Sequence, residues 1–568
     1  MALLDLNNLS VDFRTENGII HAVNGISFTL EAGKTVGIVG ESGSGKSVTS
    51  LALMGLLPAG ISKIVSGTAM FTYKDAHTAD LFSLPEKKLQ QMRGNEIAMI
   101  FQEPMTSLNP VYKCGRQVAE AIKLHQNLSR KEIKEKVLHW FSEVMLPDPL
   151  KAYNSFPHEL SGGQRQRIMI AMAMSCNPSL LIADEPTTAL DVTVQKNILE
   201  LMQRLQQKYT MSIIFISHDL GVIAEIADRV LVVYKGNVVE QGLVHYLFKN
   251  PQHPYTKGLL ACRPKMDVRY RLLPTVESYL KDEKGVTSEI ISAEERSKSL
   301  KTIFNNPPVL EVSKLKTYFQ QNKGIFNLSK KQFKAVDDVS FQVHPGETLG
   351  LVGESGCGKS TLGRTVLRLI EPTEGNIVFF GNKITSYSRS KLRKARKDIQ
   401  IIFQDPYSSL NPRLTVGKAI TEAMQIHHVG KNATERKKLC YQLLNEVNLN
   451  ESFYKRYPHE LSGGQRQRIC IARALALKPK FIICDESVSA LDVSIQAQVL
   501  NLLNKLKVEY GFSVIFISHD MSVVKYMSDR LMVMKNGKIV EYGDPDEICT
   551  TPQTAYTQQL IDSIPKGL

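Results

Sequence analysis

Short apolar runs alternate along the chain with longer segments that mix charged residues and leucines. The runs SLLIAD, SIIFIS, KFIICD and SVIFIS predict strands, whereas the segments 113–155 and 413–455, rich in Lys, Glu and Leu, predict mostly helical regions. The alternating segments DLNNLSVDF and VLEVSKLKTYF each predict an edge strand of a mixed sheet. Strands that alternate with helices in this way predict an α/β fold with a mostly parallel sheet.

The whole series of segments occurs twice. GIVGESGSGKS at 37–47 returns as GLVGESGCGKS at 350–360, and PHELSGGQRQRI is identical at 157–168 and 458–469. FQEPMTSLNP returns as FQDPYSSLNP, and from this segment onwards the two copies stay about 301 residues apart. Such a period is too long for a solenoid unit and indicates a duplicated domain.

The duplication sets the domain boundaries. We predict a first domain at 1–264 and a second domain at 309–568. The segment 265–308 has no counterpart in the repeat, is polar and balanced in charge, and ends in NNPP. These features predict a linker between the two domains.

Each copy contains the pattern GxxxxGK[ST] after an apolar strand. Glycines let the backbone curl so that its N–H groups face phosphate oxygens, and the following helix adds partial positive charge. The lysine can reach the terminal phosphates of a nucleotide, and the last serine can bind Mg²⁺. The two predicted phosphate loops consist of Gly40, Glu41, Ser42, Gly43, Ser44, Gly45, Lys46 and Ser47, and of Gly353, Glu354, Ser355, Gly356, Cys357, Gly358, Lys359 and Ser360.

Acidic, amide and imidazole side chains follow other apolar strands in both copies. An Asp-Glu pair can hold Mg²⁺ through the Asp and polarise water through the Glu. A Gln can touch both the ion and the water, and a His can bind the γ-phosphate. We predict the catalytic residues Glu185, His218, Glu486 and His519, and the magnesium ligands Ser47, Gln102, Asp184, Ser360, Gln404 and Asp485.

The segment LSGGQ predicts a second anion-binding helix start in each copy. Its serine and glycines suit a helix N-terminus whose N–H groups and hydroxyl face an anion. Since each phosphate loop already occupies a helix start of its own, each copy is expected to contribute to two phosphate sites. The residues concerned are Ser161, Gly162, Gly163, Gln164, Ser462, Gly463, Gly464 and Gln465.

This series of motifs resembles the nucleotide-binding domains of ATP-binding cassette (ABC) transporters, to which LSGGQ is specific. The SLNP segments and NPQHPYTKGLLACRP at 250–264 resemble the ATPases of bacterial oligopeptide, dipeptide and nickel importers. The first half is similar to the D-type and the second to the F-type ATPase of those systems. The resemblance implies two tandem P-loop NTPase cassettes, each with a mixed, mostly parallel sheet and a helical subdomain, and with 250–264 as a C-terminal extension.

The resemblance also implies head-to-tail pairing of the cassettes. ATP would then lie between the phosphate loop of one half and the LSGGQ segment of the other, with Asp191 and Asp492 at the seam. An aromatic side chain usually stacks on adenine in this family, and Phe13 and Phe319 occupy the matching positions, with Tyr318 as a competing candidate.

Departures from the family pattern are few. Ser487 replaces the proline that follows the Asp-Glu pair, and the first half reads AMAMS where the second has ARALA. Neither change removes a catalytic group, so two competent ATP sites are expected. Only Cys262 lies in the extension, so no iron–sulfur cluster is expected.

The resemblance implies an ATPase that drives the import of peptides or similar small solutes. Its expected partners are two transmembrane permease subunits and, indirectly, an extracytoplasmic solute-binding protein. The chain would be a peripheral protein on the cytoplasmic face of the bacterial inner membrane, and no second ATPase copy would be needed. The transported solute stays open between oligopeptide, dipeptide, glutathione, microcin-like peptide and nickel.

Composition and charge leave one alternative. With 43% hydrophobic and 22% charged residues the chain is typical of folded proteins, and no apolar run reaches the ~18–20 residues of a membrane-spanning helix. The N-terminus does not resemble a signal peptide. The net charge of +14 gives some support to a soluble twin-cassette ATPase acting on the ribosome, in translation or antibiotic resistance. The balanced linker and the SLNP and HPYT segments favour the importer, so no nucleic-acid partner is expected.

Overall fold

The computed structural model describes residues 2–16, 18–102, 107–188, 190–281, 288–321 and 331–565. Residues 103–106 of the FQEPMTSLNP segment lie outside this range. Each half contains a four-stranded and a six-stranded sheet. The strands of the first half are β1 (Ala2–Thr15), β2 (Gly18–Glu31), β3 (Thr35–Val39), β4 (Ser62–Thr72), β5 (Thr78–Asp80), β6 (Ile97–Ile100), β7 (Leu180–Asp184), β8 (Ser212–Ser217), β9 (Arg229–Tyr234) and β10 (Asn237–Leu243). Those of the second half are β11 (Leu310–Gln321), β12 (Lys331–Val343), β13 (Thr348–Val352), β14 (Glu374–Phe379), β15 (Asn382–Lys383), β16 (Ile399–Ile402), β17 (Phe481–Asp485), β18 (Ser513–Ser518), β19 (Arg530–Lys535) and β20 (Lys538–Gly543).

The helices are likewise repeated. Helices before the second half are α1 (Lys46–Leu53), α2 (Glu86–Met92), α3 (Cys114–His125), α4 (Arg130–Glu143), α5 (Pro149–Asn154), α6 (Gly162–Met174), α7 (Val192–Tyr209), α8 (Leu220–Ile226), α9 (Val244–Lys249), α10 (Pro254–Ala261), α11 (Val276–Lys281) and α12 (Ala293–Phe304). The second half adds α13 (Lys359–Val366), α14 (Arg389–Ala395), α15 (Pro406–Ser409), α16 (Val416–Ile426), α17 (Ala433–Glu446), α18 (Gly463–Leu475), α19 (Val493–Tyr510), α20 (Met521–Met527), α21 (Pro545–Thr550) and α22 (Ala555–Asp562). Short 3₁₀ turns lie at Leu81–Ser83, Pro157–Glu159, Ile384–Ser386, Glu451–Lys455 and Pro458–Glu460.

The six-stranded sheets confirm the predicted α/β architecture. Their strand orders are β10-β9-β3-β8-β7-β6 and β20-β19-β13-β18-β17-β16, with parallel pairing except for the hairpins β9–β10 and β19–β20. The central strands β3, β7 and β8 are buried along their full length, as expected for a sheet covered on both faces. The loops after their carboxyl ends therefore meet at one edge of the sheet.

The predicted position of the first strand of each half is wrong. β1 lies between β2 and β4, and β11 lies between β12 and β14, so neither is an edge strand. Both belong to separate four-stranded antiparallel sheets rather than to the mostly parallel sheet. Alternation of apolar and polar residues reports only that one face of a strand is buried. It carries no information about which strands lie on either side.

Three clusters of buried apolar side chains hold the molecule together. Two lie beneath the antiparallel sheets, one in each half, around Phe71 and around Phe379. The third contains side chains of both halves, including Trp140, Phe215 and Phe516.

None of the helices in the described part of the chain is long and apolar enough to cross a bilayer.

The segment between the halves packs on the second half. Leu273 is buried, and its backbone N–H and C=O bond to the side-chain amide of Asn501 at 2.9 and 2.8 Å. The Arg269 guanidinium donates to the backbone oxygen of Ser528 at 2.9 Å. Arg296, on α12, donates to Asp546 at 2.7 Å. A stretch that is polar in sequence is thus docked through specific polar contacts.

Candidate functional site

Each phosphate loop joins the end of a central strand to a helix. β3 ends at Val39 and α1 begins at Lys46. Gly45, at the helix start, has φ 105°, and a side chain there would collide with the backbone oxygen of Ala22 on β2. The second loop repeats this geometry at Gly358, with φ 114°. Only glycine suits both the backbone angle and the close approach of the neighbouring strand.

The loop lysines bind their own loops. Lys46 Nζ donates to the backbone oxygens of Gly40 and Glu41 at 2.7 and 2.9 Å. Lys359 Nζ donates to the backbone oxygens of Gly353 and Glu354 at the same two distances. Both side chains are buried, and burial lowers the pKa of Lys46 against the opposing charge of nearby carboxylates. A phosphate placed in the loop would offer these ammonium groups a charged acceptor.

A hydroxyl and a carboxylate face each other at each loop. Ser47 Oγ donates to Asp184 Oδ1 at 3.1 Å, and Ser360 Oγ donates to Asp485 Oδ1 at 2.7 Å. Burial raises the pKa of Asp184 to about 6 and raises the pKa of Asp485 as well. Asp485 Oδ2 is buried without a hydrogen-bond partner among the described residues. Such buried hard oxygen donors fit a small divalent cation such as Mg²⁺.

Glu185 is the centre of a hydrogen-bonded group in the first half. Its carboxylate accepts from Gln102 Nε2 at 3.1 Å and from Thr188 Oγ1 at 2.9 Å, and His218 Nδ1 lies 3.2 Å away. Burial alone would raise the pKa of Glu185, but the hydrogen bond and charge of His218 outweigh it and lower the pKa. The same contact raises the pKa of His218 against the effect of burial. Glu185 is therefore held ionised, as a residue that polarises water requires.

The second half repeats this group with fewer bonds. Gln404 Nε2 donates to Glu486 Oε2 at 2.6 Å, but His519 Nδ1 lies 3.8 Å from that oxygen. Ser489 Oγ donates to the backbone oxygen of Glu486 at 2.9 Å, whereas its counterpart Thr188 bonds to the carboxylate of Glu185. Lys359 Nζ lies 3.6 Å from Glu486 Oε1. The two halves have equivalent residues at these positions, but the Glu185 carboxylate has more hydrogen-bond partners than the Glu486 carboxylate.

The LSGGQ segments form capped helix starts. Ser161 Oγ accepts from the backbone N–H of Gln164, while the Gln164 amide oxygen accepts from the N–H of Ser161. Ser462 and Gln465 repeat this capping box at the start of α18. Ser161 and Ser462 are exposed, so their faces are open to a ligand. A side chain at Gly163 would press against Val194, which fixes the start of α6 on the start of α7.

The starts of α7 and α19 reach the phosphate loop of the opposite half. Asp492 accepts from Ser42 Oγ at 2.9 Å and from the Ser42 N–H at 3.2 Å, and Asp191 accepts from the Ser355 N–H at 3.3 Å. Ser494 Oγ, which no sequence motif predicts, also donates to Glu41. Each LSGGQ helix start thus packs on an element that touches the opposite phosphate loop. The halves are arranged head to tail.

The aromatic residues predicted to stack on adenine lie on the strand pairs β1–β2 and β11–β12. The second strand of each pair passes close to a phosphate loop. Phe13 on β1 is paired with Ile20, two residues before Ala22, whose backbone oxygen lies against Gly45. Phe319 on β11 is paired with Phe333 in the same relation to the second loop and is 41% exposed. The competing Tyr318 donates its hydroxyl to Asp337 at 2.5 Å.

Comparison with known families identifies the class of protein. The ABC transporter family matches residues 23–188 and 336–489, more than half of the chain. The family described as the oligopeptide/dipeptide transporter C-terminal region matches 239–286 and 540–567. The chain belongs to the ABC transporter family and is an ATP-binding subunit and ATPase of that family. The sequence predicts this extension at 250–264 of the first half, and the family also matches the end of the second half.

Individual relatives match over nearly the whole chain. The glutathione import ATP-binding protein GsiA of Pectobacterium atrosepticum is 48% identical over 571 residues, which cover 99% of this chain and 89% of the relative. The protein of the same name from Salmonella paratyphi A is also 48% identical with the same coverage. Among solved structures, the dimeric post-hydrolysis ATP-binding cassette MJ0796 with ADP and Pi is 28% identical, with a TM-score of 0.38, and covers 42% of this chain and 98% of its own.

Proposed function

We propose that the chain is the energy-coupling ATPase of an importer for peptides or similar small solutes. The reciprocal seam supports this most, because Asp492 bonds to the first phosphate loop and Asp191 to the second. A duplicated set of motifs arranged in this way suits two ATP molecules held between the halves. The relatives named for glutathione import, which match 99% of the chain, support a peptide-like cargo.

Two composite ATP sites follow from this arrangement. Site one combines the first phosphate loop with the second LSGGQ segment, and site two combines the second loop with the first segment. Site one consists of Lys46, Ser47, Gln102, Asp184, Glu185, His218, Ser462, Gly463, Gly464 and Gln465. Site two consists of Lys359, Ser360, Gln404, Asp485, Glu486, His519, Ser161, Gly162, Gly163 and Gln164.

The proposed cycle uses the γ-phosphate as a bridge between the halves. ATP favours the closed state because its γ-phosphate contacts both halves at once. Glu185 and Glu486 orient and polarise the attacking water, and His218 and His519 hold it beside the γ-phosphate. Mg²⁺, held by the serine, aspartate and glutamine of each site, would neutralise phosphate charge. Hydrolysis removes the bridge, and the halves open.

The partners follow from the class of transporter. We infer two transmembrane permease subunits, which receive the opening and closing motion, and an extracytoplasmic solute-binding protein that delivers the cargo. The chain is then peripheral, on the cytoplasmic face of the inner membrane. Since both cassettes are in one chain, a second ATPase copy is not needed.

The experiment is co-purification with two candidate permease subunits, followed by ATPase assays of the complex in lipid. Solute-loaded binding protein should stimulate hydrolysis, with glutathione, dipeptides, oligopeptides and nickel compared as cargo. A Lys46→Ala, Lys359→Ala double variant is the matched control and should show no stimulation. Stable association with ribosomes and with no permease would overturn the importer and favour the ribosomal alternative.

A further inference from the structure

Two tyrosines outside the predicted ATP sites touch the phosphate loops. The hydroxyl of Tyr255 accepts from the backbone N–H of Glu41 at 3.0 Å. The hydroxyl of Tyr556 accepts from the backbone N–H of Glu354, also at 3.0 Å. Tyr255 lies on α10 and Tyr556 on α22, the two segments matched by the oligopeptide/dipeptide transporter C-terminal region. The same contact therefore occurs independently in both halves.

The segment that presents Tyr255 is held in place by its own hydrogen bonds. Glu240 on β10 accepts from the backbone N–H groups of Gln252 and His253 at 2.8 and 3.1 Å. His253 Nδ1 then accepts from the N–H of Tyr255 at 3.1 Å and caps α10. A rigid chain of contacts thus runs from β10 to the hydroxyl at the phosphate loop.

The second half builds the same support, with a different residue at the helix cap. Glu541 accepts from the N–H of Gln553 at 2.8 Å, and Thr554 caps α22 by accepting from the N–H of Thr557 at 3.1 Å. The sequence His-Pro-Tyr in the first half is Thr-Ala-Tyr in the second. The cap and the proline change while the tyrosine and its contact with the loop stay. The hydroxyl is thus the common functional element.

Both tyrosines are buried, so their hydroxyls are fixed. Tyr255 is fully buried, and its ring centroid lies 4.3 Å from that of Tyr234. Tyr556 lies under Lys535, whose Nζ is 4.4 Å from the ring centroid. Burial raises the pKa of both phenols, which keeps them neutral. Loss of such a hydroxyl removes the side-chain acceptor of a loop N–H at a partly buried position.

The peptide group that receives the hydroxyl also binds the loop lysine. The N–H of Glu41 and the C=O of Gly40 belong to one planar peptide group. Tyr255 bonds its N–H edge, and Lys46 Nζ bonds its C=O edge at 2.7 Å. In the second half the peptide group between Gly353 and Glu354 is bonded in the same way by Tyr556 and Lys359. Fixing this plane fixes the direction in which the lysine is held.

We propose that Tyr255 and Tyr556 are positioning residues that pre-organise the phosphate loops for ATP. This inference rests on the proposed function, because it assumes that these loops bind ATP. Without the hydroxyl, the peptide group can rotate, the loop must be ordered during binding, and ATP affinity falls. The carboxylate of Glu185 is held by Gln102, Thr188 and His218, and that of Glu486 by Gln404, rather than by this peptide group, so turnover of bound ATP is preserved.

The test replaces Tyr255 by Phe in the full chain, with Lys359→Ala present so that nucleotide binding reports on site one. The dissociation constant of a non-hydrolysable ATP analogue with Mg²⁺ should rise about tenfold, the size of effect expected from the loss of one hydrogen bond. In the chain with Lys359 intact, Tyr255→Phe should raise the KM for ATP and change kcat less than about twofold. Tyr556→Phe with Lys46→Ala should give the mirrored result at site two.

Tyr526→Phe is the matched control. Tyr526 is similarly buried, and its hydroxyl donates to Asn501 at 3.1 Å, away from the phosphate loops. This variant should leave ATP affinity unchanged even if its melting temperature falls. An unchanged ATP affinity in Tyr255→Phe, or a fall of kcat alone, would overturn the proposal. If the unmodified chain bound no ATP at all, the proposed function itself would fail, which is a distinguishable result.

Discussion

The backbone of the two glutamates is strained. Glu185 and Glu486 have φ angles of 48° and 47°, in the left-handed region that residues other than glycine rarely adopt. A residue held in this way costs about 1–3 kcal/mol, which the surrounding contacts must offset. Gln102, Thr188 and His218 supply these contacts in the first half.

This geometry predicts the effect of removing one charge at a time. Glu185→Gln keeps the size of the side chain but removes the ionised oxygen, so hydrolysis at site one should fall by about 10²–10⁴. ATP should remain bound there, since Gln keeps the packing and the halves still close. Single-turnover assays and counting of the ATP retained after rapid gel filtration measure both effects.

Glu486→Gln should give the same result at site two. The exposed Glu86, paired with Arg93 at 2.7 Å, provides a control, because Glu86→Gln removes a surface carboxylate and should not change turnover. Full hydrolysis at site one in Glu185→Gln would show that this carboxylate does not polarise the water. Unchanged hydrolysis in Glu486→Gln would show that site two is degenerate.

At the scale of elements, helix α12, which lies in the predicted linker, is held on the second half by a group of charges. Arg296 bonds to Asp544 at 2.8 Å and to Asp546 at 2.7 Å. Lys525, on α20, bonds to Asp546 at 3.0 Å. α20 begins directly after the loop that holds His519. Helix α12 is thus connected through Asp546 to the helix that follows His519.

Neutralising Asp546 should loosen this contact. Asp546→Asn leaves Arg296 and Lys525 with less compensating charge, and because Asp546 is partly exposed, about 1 kcal/mol of stability should be lost. Hydrogen exchange of the amides of α12 should become faster. Glu295→Gln, which breaks an exposed pair with Arg271, is the control and should change exchange much less. Equal exchange in the two variants would show that the charges do not fasten the helix.

The same contact has a predicted pH dependence. Burial alone would raise the pKa of Asp546, but the charges of Arg269, Lys525 and Arg296 lower it. Its stabilising effect is therefore complete above the ordinary Asp pKa of about 4 and is lost as the pH falls through the lowered value. The protection of the α12 amides from hydrogen exchange should stay constant from neutral pH down to about pH 4 and decrease at lower pH. This decrease should be absent in Asp546→Asn.

The sequence predicts elements well where local pattern decides them. Apolar runs that end in the residues of the site, as β7 ends in Asp184, predict both the strands and the position of the side chains at the sheet edge. The order of the strands in the sheet cannot be predicted from this pattern, because burial of one face of β1 does not determine which strands pair with it. The contacts of Arg296 with Asp546 and of Tyr255 with Glu41 also cannot be predicted from the sequence, since each joins residues more than 200 positions apart. Long-range pairs of polar residues have no local signature.

At the scale of the whole molecule, the fold joins two similar halves into one unit. One cluster of buried apolar side chains contains residues of both halves, and the polar seam crosses between them twice. A linker that joins the halves in one chain keeps their ratio at one to one and raises the effective concentration of each for the other. The repeat is not symmetric in detail, however, and the seam shows this most clearly.

The two seam aspartates predict crossed and unequal effects. Asp492 accepts two hydrogen bonds from Ser42, whereas Asp191 accepts one from Ser355. The other carboxylate oxygen of Asp191 caps its own helix by accepting from the N–H of Val194 at 2.9 Å. Asp492→Ala should therefore weaken ATP binding at site one, although the change lies in the second half. Asp191→Ala should weaken site two less, but should lower the melting temperature more, because a lost N-cap costs about 1 kcal/mol.

Affinities are measured site by site with a non-hydrolysable ATP analogue. Asp492→Ala is combined with Lys359→Ala to isolate site one, and Asp191→Ala with Lys46→Ala to isolate site two. If each substitution affected only the phosphate loop of its own half, the head-to-tail arrangement would be wrong. Crossed effects of equal size would instead keep the arrangement and show that the second bond to Ser42 adds nothing, because the carboxylate then acts through its charge alone.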